Sequence, residues 1–234
     1  MKSNIHIALT NLLALLPLSA ATITFTATGF NDVAQLTTTG ALVDAAHFGA
    51  DAEADVTANG ITFVSRDGSS PTLVIGGAPG TPYYHADLYQ AFSHLAGYTT
   101  ITGMSEANQE LMFDSVAYGP GAGNSLITLS GLVSGHVYEM QLLLVDDRFG
   151  GYNTYVSNLA APPFYGPYDW SNNAVQLITG TFTADDATQT FRHYVGGSNN
   201  AQINAYQLRD TSVPEPATGL LGSIGLLALL RRRR

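Results

Sequence analysis

Between residues 22 and 210 the chain alternates apolar and polar residues with a period of two in segment after segment. Thr22-Ile-Thr-Phe-Thr-Ala-Thr28 places Ile23, Phe25 and Ala27 on one face of an extended segment. Val56 to Ser65 predicts a strand broken by a turn at Asn59-Gly60, and Leu73 to Ile75 is a short apolar strand. Val137-Tyr-Glu-Met-Gln-Leu-Leu-Leu-Val145 has the strongest strand pattern of the chain. Ser125–Ser130 and His136–Asp146 flank Gly131-Leu-Val-Ser-Gly135, which predicts a hairpin loop joining them. Val175–Thr183, Thr188–Val195 and Ala201–Arg209 complete the set, with a turn at Thr183–Thr188.

A helical period is rare. Ala86–Ala96 repeats apolar residues at Leu88, Ala91, Phe92 and Leu95, and Ser105 can cap a second short helix running through Glu110. Many strands, one or two short helices and glycine-rich connections predict an all-β antiparallel sandwich of jelly-roll type. The 234 residues divide into an end segment over 1–21, a single domain over 22–210, and a second end segment over 211–234.

The two ends read differently from the middle. Lys2, the apolar stretch Ile7–Leu18 and the small residues Ser19-Ala20-Ala21 form a secretory leader with cleavage after Ala21. At the other end, Val213-Pro214-Glu215-Pro216 precedes the apolar run Ala217–Leu230 and the cluster Arg231, Arg232, Arg233 and Arg234. Arginine clusters stay in the cytoplasm, so leader and tail together place the domain outside and the C-terminus inside. Pro214 and Pro216 keep the chain extended ahead of the apolar helix. As a helix, a 14-residue run spans about 21 Å, short of a hydrocarbon core of about 30 Å, which suits a transient anchor.

This order of motif, apolar helix and basic stop resembles the PEP-CTERM sorting signal of Gram-negative bacteria. The resemblance covers about 23 residues and leaves the domain unassigned. It implies Sec-dependent export, a membrane processing enzyme of the exosortase type as partner, and a place at the cell envelope or surface, often alongside exopolysaccharide. A looser resemblance lies in the domain. Leu129-Ser-Gly-Leu-Val-Ser-Gly-His-Val-Tyr138, and the endings Ile178–Asp185 and Ala201–Tyr206, are similar to galactose-binding-like and carbohydrate-binding jelly rolls.

Charge narrows the partners. Residues 22–212 hold four arginines and no lysine against seventeen acidic residues, a formal charge of −13. Such a surface repels phosphate backbones and excludes nucleic acid as a partner. The absence of cysteine removes disulfides, thiolate metal sites and cysteine nucleophiles. His47, His85, His94, His136 and His193 lack the spacing of a zinc motif.

Three clusters are left as candidate chemistry. Asp51, Glu53 and Asp55 alternate and, on one strand, would face the same way; they suit calcium, against the plainer reading of a solvated acidic loop. Asp147 and Arg148 follow the strongest strand, where jelly-roll ligands commonly bind, or simply pair with each other. Phe149–Trp170 reads as a long loop carrying Tyr152, Tyr155, Tyr165, Tyr168 and Trp170, the only tryptophan. Its rings either stack on sugar faces or cover an open end of the sandwich. The expectation is a non-catalytic, surface-retained module with no resident cofactor other than calcium and with polysaccharide as its ligand. The alternatives are a polysaccharide hydrolase, which needs two carboxylates across a cleft, and a purely structural matrix protein.

Overall fold

The computed structural model describes residues 22–49, 53–66, 70–75, 84–85, 100–113, 116–118, 124–145, 153–158, 165–169, 175–195 and 202–212. The strands among them are β1 (Thr24–Gly29), β2 (Ala41–Phe48), β3 (Val56–Ala58), β4 (Ile61–Arg66), β5 (Leu73–Ile75), β6 (Tyr84–His85), β7 (Ala117–Tyr118), β8 (Asn124–Ser130), β9 (Val137–Leu144), β10 (Asn153–Asn158), β11 (Tyr165–Asp169), β12 (Gln176–Thr183), β13 (Thr188–Val195), β14 (Gln202–Ile203) and β15 (Ala205–Asp210). One helix, α1 (Glu106–Phe113), and a 3₁₀ turn at Val33–Gln35 accompany them.

The strands form a seven-stranded sheet in the order β1-β12-β9-β15-β2-β4-β3 and a five-stranded sheet in the order β11-β10-β13-β8-β5. A small third sheet has the order β14-β7-β6. Pairing is antiparallel except for β2 with β4. The all-β sandwich read from the alternation is therefore the fold.

The two large sheets close over one core. Ile23, Phe25, Met140, Leu142, Leu144, Tyr206 and Leu208 come from the first, and Leu73, Ile75, Ile127, Leu129, Val156 and Phe191 from the second. Phe25 meets Phe191 across the gap at a centroid distance of 5.6 Å. A second core lies behind the seven-stranded sheet, where Leu143, Val145, Leu177 and Ala205 pack against Phe63, Met112 and Phe113. Both faces of β9 are thus covered at its C-terminal end. That explains why its sequence alternates at Tyr138–Met140 and becomes unbroken Leu-Leu-Leu-Val at 142–145.

Local sequence chemistry fixes the smaller elements. Asn59 and Gly60 both have positive φ, 49° and 73°, the geometry of a two-residue primed turn between β3 and β4. Ser105 caps α1, its Oγ accepting from Asn108 N at 3.3 Å, and the helix runs to Phe113, three residues beyond the expected end. The other expected helix, over 86–96, lies outside the described residues.

Two expectations are corrected. Gly131–Gly135 does not close a hairpin: β8 pairs with β5 and β13, whereas β9 pairs with β12 and β15 in the other sheet. The connection is an arch between sheets, stacked on a second arch at 184–187. Leu132 N donates to Ala187 O at 3.0 Å, and Gly135 N to Ala184 O at 2.7 Å. Local glycine spacing specifies a chain reversal but not which sheet receives the next strand. Nor is Phe149–Trp170 one long loop, because it contains the hairpin β10–β11. Gly151, Pro163 and Pro167 mask the strand period there, and Pro167 is tolerated because β11 is an edge strand.

Candidate functional site

Among the described residues, the acidic triple is represented by Glu53 and Asp55; Asp51 lies outside them. Neither residue is on a strand, since β3 starts at Val56, so the expected one-faced strand array does not form. Asp55 turns its carboxylate inward on the chain, where Oδ1 accepts from Ser65 N at 3.0 Å. Glu53 lies against Gly49, with no space there for a Cβ, and its Oε2 is buried without a hydrogen-bond partner.

Next to them is the fully buried His47. Its Nε2 is 3.1 Å from the carbonyl of Ala54, and its Nδ1 is buried without a hydrogen-bond partner. Burial lowers the pKa of His47, against the opposing pull of the Ala54 carbonyl and the charges of Glu53 and Asp55. The arrangement is a neutral imidazole flanked by two carboxylates. Among the described residues no three His, Cys, Asp or Glu side chains are gathered as a metal site.

The aromatic segment is placed in part. Tyr155 is on β10 opposite Tyr194 of β13, and Tyr168 and Tyr165 are on β11 opposite Thr154 and Val156. The hairpin forms one edge of the five-stranded sheet and approaches β1 of the other sheet. Asp147, Arg148, Tyr152 and Trp170 lie outside the described residues. His193 sits in the middle of this sheet, opposite Val156 of β10. It is fully buried, and desolvation pushes its pKa down to about 3.

Sequence reasoning missed a polar junction between the two large sheets. Tyr206 Oη donates to Asp44 Oδ2 at 2.5 Å and lies 2.7 Å from Thr72 Oγ1, which itself donates to the same carboxylate oxygen at 2.6 Å. Ser70 Oγ also bonds the phenol. Burial and the Asp44 carboxylate together push the Tyr206 pKa up. No local signal reveals this network, because Tyr206 is separated from Asp44 by 162 positions and from Thr72 by 134. Nor does the period-two pattern predict strand β2, which supplies Asp44 and His47. It carries polar residues inward and the apolar Leu42 and Val43 outward, against the usual alternation.

A third feature lies where the domain ends. Thr211 N and Oγ1 both donate to Val137 O, at 2.8 and 3.0 Å, and Val137 N donates to Ser212 Oγ. Ser212 N donates to Asp210 Oδ1 at 2.9 Å, while His136 Nδ1 lies 2.6 Å from Asp210 Oδ2. Although partial burial works against it, hydrogen bonding from His136 and Ser212 and the His136 charge hold the Asp210 carboxyl below the usual range.

These features define a class: a two-sheet β-sandwich whose last strand leads directly into a C-terminal sorting tail. Residues 212–234 match the PEP-CTERM protein-sorting motif, so the chain carries a signal for export, transient membrane anchoring and processing by exosortase, a membrane enzyme. No curated protein and no solved structure matches the chain. No helix among the described residues is long and apolar enough to cross a membrane; residues 1–21 and 213–234, which include the expected leader and the apolar run of the tail, lie outside them.

Proposed function

We propose that this is a surface protein delivered by its tail, with a sandwich that binds polysaccharide and carries out no catalysis. The leader over 1–21 takes the domain across the inner membrane. Ala217–Leu230 then holds it there briefly, with Arg231–Arg234 on the cytoplasmic side, while the processing enzyme reads Val213–Pro216. The observation that carries the delivery part of this reading is the sorting motif at 212–234.

Sugar binding is assigned to the segment 147–170. Tyr152, Tyr155, Tyr165, Tyr168 and Trp170 supply rings that stack on sugar faces, and Asp147 and Arg148 supply hydrogen bonds to hydroxyls. What supports it is the density of these residues along one stretch of sequence, of which Tyr155, Tyr165 and Tyr168 are carried by the edge hairpin β10–β11. Calcium at Asp51, Glu53 and Asp55 belongs to the same proposal. A glycan array run with and without calcium tests it. Binding that falls at least tenfold in Trp170→Ala is the expected result; absent binding, or binding unchanged by that substitution, refutes the lectin reading.

A further inference from the structure

The large apolar side chains that the described residues leave exposed are Leu42 (44%), Val43 (37%), Val133 (51%) and Val137 (42%). All of them sit at one end of the molecule. Asp210, the last residue of β15, is paired with Ala41 on one side and Tyr138 on the other. Leu42 is paired with Arg209, and Val43 falls at the register shift of β2, which turns two consecutive apolar residues outward. Val137 begins β9, two strand spacings from β2, or about 10 Å. Val133 tops the arch whose carbonyl accepts from His136 N at 3.1 Å.

The same end is where the sorting tail departs. The clamp of Thr211 and Ser212 on Val137 keeps the chain in the fold up to the residue before Val213. No linker separates domain from motif. From Ser212 to Ala217, the first residue of the apolar run, five peptide steps reach at most about 18 Å. An anchored tail therefore holds this end of the sandwich against the bilayer surface.

We infer that the end of the domain formed by Leu42, Val43, Val133 and Val137 is a membrane-contacting face, seated in the interface of the lipid bilayer while the tail is anchored. The inference rests on the anchoring reading above and adds an orientation to it. The contact is apolar in character: the exposed Asp186 lies at its rim, and the domain is strongly acidic, so attraction to anionic headgroups does not drive it. A seated face brings Ser212, and with it the start of the motif, to the membrane surface, where a membrane enzyme can reach it.

The chain has no cysteine, so single-cysteine labelling is clean. Ser134→Cys and Thr183→Cys place an environment-sensitive fluorophore beside the valines without removing them. Thr28→Cys reports from the other end of the sheet, about 20 Å away along the strands. The full chain is inserted into vesicles of phosphatidylethanolamine and phosphatidylglycerol containing a doxyl-labelled lipid. Expected are flotation with the vesicles and quenching at 134 and 183 at least threefold that at 28, little changed by 0.5 M salt (~3–5 Å screening). The double variant Val133→Gln, Val137→Gln should lower that quenching about twofold or more, and quenching left unchanged by it overturns the inference. Flotation with equal quenching at all three positions overturns the inference and leaves anchoring standing. Probes at 134 and 183 shielded from water but not quenched by lipid put a protein on the face, and also overturn it. A chain that does not float overturns the anchoring reading and this contact together.

Discussion

Acid should destabilise this protein well before its carboxylates titrate, and His193 allows the effect to be calculated. The side chain is fully buried on β13, and its pKa is lowered from 6.5 to about 3 by desolvation. In the unfolded chain it takes a proton as pH falls through 6.5, whereas the folded chain refuses one until about pH 3. The stabilising contribution is therefore complete above pH 6.5 and is lost as pH falls. Proton linkage gives a loss of about 2 kcal/mol between pH 7 and pH 5 from this residue, about 1.2 kcal/mol of it between pH 6 and pH 5. His47 is shifted in the same direction and adds to the loss. Asp210 is lowered from 3.8 and contributes only further down the scale. The measurement is urea unfolding followed by circular dichroism at half-unit steps from pH 7 to pH 5, for wild type and His193→Phe. Absolute stabilities of the two proteins will differ because the ring's other contacts change. The readout is the slope with pH, and the variant should lose about 2 kcal/mol less over the interval. Equal slopes, or a wild type that gains stability on acidification, would refute the burial argument.

Other expectations follow from single contacts. Tyr206→Phe removes the donor to Asp44 and the bonds to Thr72 and Ser70; it should cost about 2 kcal/mol at pH 7 in the same unfolding assay. The phenol's raised pKa means wild type keeps this contribution below pH 10 and loses it above, as the unfolded tyrosine ionises first; Tyr206→Phe should lack that alkaline decline. Gly40 has φ +82°, and a Cβ there would stand 2.5 Å from Asp210 O, so Gly40→Ala should lower stability by roughly 1–3 kcal/mol in a thermal melt. Asn204 is buried with its amide bonded to Phe113 O and Val145 N, and Asn204→Leu should cost about 3 kcal/mol and raise amide exchange at Val145.

The sequence shows those parts of the fold whose causes are local. Ile23, Phe25 and Ala27 alternate because β1 has one face in the core, and Asn59-Gly60 marks its turn because only residues tolerant of positive φ fit there. Sheet membership is not local. Gly131–Gly135 looks like a hairpin loop and is an arch, because partner choice depends on Thr188–Val195, which is far along the chain. Strand β2 has no legible alternation because Asp44 faces inward to bond Tyr206 and Thr72, while Leu42 and Val43 face out. The sorting tail is legible in full, since its three components are contiguous and each does its work through composition alone. The sugar-binding assignment is the hardest to read, as aromatic residues in a hairpin serve packing and stacking equally well. What the structure adds to the tail is its start: Ser212 is still bonded to Val137, so the signal begins where the fold stops.

The most direct test of the account is the fate of the tail in the cell that makes the protein. Wild type and the triple variant Pro214→Ala, Glu215→Ala, Pro216→Ala are compared by membrane fractionation and by intact mass. The account predicts that wild type reaches the surface fraction having lost its C-terminal arginines, while the variant stays in the inner membrane at full mass less the leader. Identical mass and identical location for the two proteins would contradict it.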